Sequence, residues 1–206
     1  MRLSLGNVPD NQGEPPQAGA WHRIHSPSSR LGYLLAGLAG LAFPIVLIGW
    51  LIFVSIFAGG SEEAVTAVDV PPSWGAVLLA LFLFIPLHEL LHAVWHPHLG
   101  LSSQTVLVIW PKKLRFGVYY DGCMTRRRWL AMRLAPLTVL SIIPAGFLIL
   151  LHFIPVPFAL ETFLNVLLLV NGIGSGGDIV AVIWVLRQVP SDSQICFYGG
   201  KAYRQT

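Results

Sequence analysis

Four apolar stretches, each at or above the roughly 20 residues a helix needs to cross a bilayer, leave this chain few ways to fold. They run from about Leu31 to Ala58, Trp74 to Trp95, Trp129 to Phe153 and Phe158 to Leu186. Of the 206 residues, 54% are hydrophobic and only 11% charged, against about a quarter charged in soluble domains. The pattern predicts an all-α polytopic membrane protein with four transmembrane helices. Residues 1–30, which contain no apolar run, are expected to be a flexible tail rather than a cleavable signal. Residues 31–189 form the membrane domain and 190–206 a second tail.

Charge gives the orientation. Arg23 and Arg30 precede the first span, and Lys112, Lys113, Arg115, Arg126, Arg127 and Arg128 lie between the second and third. Arg187, Lys201 and Arg204 follow the fourth, while the other two loops contain Glu62, Glu63, Asp69 and Glu161 and no Lys or Arg. The positive-inside rule then puts both termini in the cytoplasm, as an even number of spans requires. A net charge of +3 gathered beside apolar runs suits topology control and argues against nucleic-acid binding. Cys123 and Cys196 lie far apart with no CxxC pattern, so reduced thiols are expected on this side of the membrane. Between the second and third spans, Thr105–Trp110 and Leu114–Tyr120 are β-branched and aromatic runs flanking Pro111-Lys112-Lys113. They predict a β-hairpin at the cytoplasmic membrane surface.

The second span carries Leu87-His88-Glu89-Leu90-Leu91-His92, an HExxH motif. Residues four apart share a helix face, so both imidazoles can address one ion while Glu89 stands one step round. Zinc in a hydrolytic site takes three protein ligands and leaves a position for water, whose proton a nearby carboxylate can accept. Each ionisable group deep in a bilayer costs about 2.5–3.5 kcal/mol on insertion scales. Two histidines and a glutamate on one apolar helix therefore call for a bound cation to offset them.

The fourth span supplies a third ligand. Its Gly-rich stretch Asn171-Gly172-Ile173-Gly174-Ser175-Gly176-Gly177 ends in Asp178, the only carboxylate well inside that run. At 1.5 Å per residue, His88 and His92 lie about 21 and 27 Å from the outer end of their helix, and Asp178 about 30 Å from the outer end of its own. The levels match. His96 and His98 compete for the role: His98 has the metzincin spacing, but the turn there would need glycine where Trp95 stands. Gly172, Gly174 and Gly177 spell GxGxxG, yet no βαβ unit surrounds them.

These residues, with Ala135-Pro136 in the third span and Ser175-Gly176-Gly177-Asp178 in the fourth, resemble a family of bacterial membrane proteins described as putative zincin peptidases. The chain is also similar to site-2-type intramembrane metalloproteases, although their Leu-Asp-Gly is here Gly177-Asp178-Ile179 and of their Asn-Pro signature only Asn171 remains. The resemblance covers about residues 72–189. It implies a bacterial plasma-membrane enzyme with Zn2+ on His88, His92 and Asp178, Glu89 as general base, and Asn171 either on a substrate carbonyl or oxyanion or serving as a packing residue. The substrate would be a membrane protein or peptide, aligned by strand addition to the hairpin. The rival reading is a non-catalytic membrane scaffold retaining a structural metal site. A metal transporter ranks third, because the first and third spans have few ionisable groups apart from Arg133 and His152.

Overall fold

A computed structural model describes residues 1–6, 21–25, 28–57, 73–111, 115–151, 156–198 and 201–205. Helix α1 (Ser29–Phe57) and helix α2 (Trp74–Val94) are continuous and apolar. Helix α2 ends where Pro97 forbids its continuation, and His98, Leu99 and Gly100 follow with φ of 56, 55 and 76°. Three left-handed residues in a row reverse the chain sharply, and only the glycine adopts that conformation without steric cost. Arg128 closes the helix end, donating from Nε to the Trp95 carbonyl at 2.6 Å and from Nη2 to the His96 carbonyl at 2.9 Å.

The third span begins at Arg126, three residues earlier than the hydropathy pattern indicates, because Thr125 caps it by accepting from the Arg128 amide. It runs as α3 (Arg126–Leu137), a π-type turn (Thr138–Ile142) and α4 (Ile143–Leu151). Pro136, which cannot donate within the helix, is followed by this widened turn. The fourth span breaks at Ser175 into α5 (Phe158–Gly174) and α6 (Gly176–Gln188), bent by 44°. Three described helical stretches are long and apolar enough to cross a membrane, or four where the bent pair counts as one span.

The surface confirms the solvent. Leu78, Phe82, Leu90, Ile142, Ile143 and Leu150 are exposed, whereas His88, His92, Ser141, Asn171, Ser175 and Asp178 are buried. In water this would be an inverted protein; around a bilayer it is what an integral-membrane bundle requires.

The all-α expectation needs correction at both ends. The hairpin of β3 (Thr105–Trp110) and β4 (Arg115–Tyr120) lies between the second and third spans, but β1 (Arg2–Leu5) adds to it in parallel. A second sheet has the order β2 (Trp21–Arg23), β7 (Lys201–Gln205), β6 (Gln194–Tyr198), β5 (Cys123–Thr125). Both segments read as tails therefore contain strands, although residues 7–20 lie outside the described ones. The C-terminal pair had a partial sequence signal: Ile195-Cys196-Phe197-Tyr198 runs into the turn-forming pair Gly199-Gly200. The β1 and β2 pairings are long-range and had none.

The two cysteines, far apart in sequence, are also brought together. The antiparallel register sets Cys123 opposite Cys196 with Cα atoms 4.0 Å apart, close enough for the two to pair as a disulfide across 73 residues of sequence. Tyr120, Met124, Trp129, Met132, Val182, Val185 and Ile195 form one buried cluster that fastens this sheet to α3 and α6.

Helix α1 braces the break in the fourth span. A Cβ on Gly176 would fall on the Ala36 carbonyl oxygen and 2.7 Å from the Gly40 nitrogen, and one on Gly40 would fall on the Ile173 carbonyl. Small residues let these backbones touch.

Candidate metal centre

The HExxH register does what its spacing requires. His88 and His92, one turn apart on α2, are buried with ring centroids 4.9 Å apart. Asp178 lies in the first turn of α6, where the helix dipole favours a carboxylate. Its Oδ2 is 3.2 Å from His88 Nε2 and 3.3 Å from His92 Nε2.

Both rings are held from behind. His92 Nδ1 faces the Met132 carbonyl at 2.9 Å, an acceptor only, so Nδ1 carries a proton and Nε2 is the nitrogen left to address an ion. His88 Nδ1 faces Asn171 Oδ1 at 2.8 Å. The amide of Asn171 cannot be flipped, because its Nδ2 donates to the Pro136 carbonyl at 2.9 Å and to Ser141 Oγ at 2.8 Å. Ser141 passes its own hydrogen to the Leu168 carbonyl. This chain sets the His88 tautomer with Nε2 toward Asp178, the supporting arrangement metal-bound histidines generally have.

The donor set fits a zinc-like ion. Donors about 2.0–2.1 Å from one ion at tetrahedral angles lie about 3.3 Å from each other, and the two His–Asp spacings are 3.2 and 3.3 Å. Two neutral imidazoles and one carboxylate suit a divalent cation. Among the described residues, His88, His92 and Asp178 are the group whose ligand atoms all lie within 4.8 Å of one another.

Each expected site residue can be located. Glu89 is half-buried beside a cavity of about 620 Å³ that the three cluster residues also line. Its Oε2 accepts from the Val118 amide of β4 at 2.8 Å, so the hairpin is coupled to this carboxylate. Asn171 is wholly buried with both amide hydrogens committed inside the protein, leaving no free donor for a substrate carbonyl. His98 is exposed on the left-handed turn and joins no ligand group. His96 faces Thr105 Oγ1 at 3.2 Å and packs on the Tyr120 ring, outside the cluster.

Arg133, notable in the sequence only as an ionisable group of the third span, belongs to the site. Arg133 Nη1 donates to Asp178 Oδ1 at 2.8 Å. A cation within an apolar run is itself a flag, but its partner 45 residues away could not be read from spacing.

His96 makes a pH prediction. Burial, then the neighbouring His92, Arg133 and Arg128, pushes its imidazole from 6.5 down to about 4. Between those values the unfolded chain binds a proton that the folded one excludes, so this contribution is intact above about pH 6.5 and lost as pH falls toward 4. At full extent the loss is on the order of 3 kcal/mol. Melting in detergent from pH 7 to 4 should fall more steeply for wild type than for His96→Gln; parallel curves would contradict this.

An apolar bundle enclosing two HExxH histidines and an aspartate defines an integral-membrane protein with a buried, zincin-like cluster able to hold a metal ion. Residues 81–194, more than half of the chain, match the family described as "putative zincin peptidase", and the chain belongs to that family. No curated protein and no solved structure matches it.

Proposed function

We propose that the protein is a zinc-dependent intramembrane metallopeptidase that hydrolyses peptide bonds of membrane-associated substrates. The observation that carries this reading is the convergence of His88 Nε2, His92 Nε2 and Asp178 Oδ2 beside Glu89 in one cavity inside a membrane bundle. Zinc held there would supply a Lewis acid and a water of lowered pKa. Glu89, one residue from His88 and lining the same cavity, is the general base that takes the water proton and returns it to the leaving amine. Asn171 serves by orienting His88. The concentration of Lys and Arg in the loop after α2 and beyond α6 supports a site near the cytoplasmic leaflet with both termini in the cytoplasm.

Strand β4 supports a bilayer-edge peptide as substrate. It is the outer strand of its sheet, and its Val118 amide points away from β3 toward Glu89. An extended peptide added along this edge would run past the cluster.

Glu89→Gln tests the assignment. With reconstituted single-span membrane proteins as probes and mass spectrometry of released fragments, turnover should drop about 10²–10⁴-fold while zinc content and fold persist. Equal cleavage by wild type and variant would remove Glu89 as base. The scaffold alternative instead expects the variant to retain the full cellular role.

A further inference from the structure

The two oxygens of Asp178 are engaged in different directions. Oδ2 faces both imidazoles, at 3.2 and 3.3 Å, while Oδ1 receives the Arg133 guanidinium at 2.8 Å. Arg133 is anchored in turn, its guanidinium carbon lying 5.4 Å from the centre of the Trp129 ring, and Trp129 is buried one helical turn earlier on α3. Asp178 itself is buried, which strengthens its bond to the guanidinium.

A carboxylate can ligate an ion through one oxygen or two. A charge-assisted hydrogen bond to one of them is strong enough to bias that choice, and interactions behind the ligands tune a metal in this way. We propose that Arg133 is a positioning residue that restricts Asp178 to one-oxygen ligation, and so keeps one coordination position free for a water. The proposal rests on the metal-site reading and deepens it. It also explains a cation beside a site built to receive one: the guanidinium withdraws the second oxygen.

Cobalt(II) tests this without a substrate, because four-coordinate cobalt absorbs visible light strongly and five-coordinate cobalt weakly. Full-length protein in detergent is titrated with Co2+ as wild type, Arg133→Met and Arg133→Lys. Wild type should show intense four-coordinate bands. Arg133→Met should bind one ion per chain with bands several-fold weaker, and Arg133→Lys, which keeps a donor, should restore much of the intensity. If Arg133→Met does not fold, Arg133→Gln, whose shorter amide cannot span the same gap, carries the comparison. Uptake by wild type with unchanged bands in the variant, or weak bands in wild type, would overturn the proposal alone. No uptake by wild type would bring down the metal-site reading beneath it.

Discussion

Gly176→Ala should destabilise the fold by about 3 kcal/mol or more, near the top of what overpacking produces. The added methyl would meet the Ala36 carbonyl oxygen and the Gly40 nitrogen, both backbone atoms of α1, so no side chain can swing aside. Relief requires α1 to move off the break at Ser175. That break sets the first turn of α6, and with it Asp178. The neighbouring Gly177→Ala is the control, since a Cβ there has nothing within 4 Å. Thermal melting in detergent should separate the two variants by many degrees, with zinc retention lowered only at position 176. Equal melting would show that α1 does not brace the site.

Asp178→Ala should abolish tight zinc binding while leaving most of the fold. The substitution removes the one carboxylate in the ligand group and strands Arg133 beside two imidazoles with its partner gone. Loss of a merely supporting partner costs about 10–100-fold in metal affinity, and loss of a charged ligand should exceed that. Competition with a calibrated chelator measures the change. An affinity within about tenfold of wild type would mean that the ion, if bound, sits elsewhere. Asn171→Leu would then be uninformative, because its effect passes through His88.

How far the sequence carried the argument depended on the range of each interaction. The second span and its two histidines follow from local rules, since apolar length fixes the helix and the four-residue spacing fixes the face. Asp178 lies 86 residues beyond His92, yet a bilayer imposes a common depth scale, so counting residues from the outer ends brought it to the right level. No such ruler exists for the sheets. Arg2 against Val106 and Trp21 against Gln205 are pairings that no periodicity announces, which is why the ends looked like tails. The same is true of Cys123 and Cys196, paired by register alone. Gly172 to Gly177 stood out in the sequence as a Gly-rich stretch, but what packs against it, Ala36 and Gly40 on α1, was not legible there. Asn171 was open to two readings, a contact with substrate or packing, and its neighbours Pro136, Ser141 and His88 occupy it in the second way.

X-ray absorption at the zinc edge of the purified, zinc-loaded protein probes the central assignment most directly. The account predicts one zinc per chain, with two imidazoles and oxygen donors at about 2.0–2.2 Å and no sulfur, and loss of the imidazole signal in His88→Ala. A protein that takes up no zinc, or a zinc whose surroundings are unchanged in His88→Ala, would contradict it.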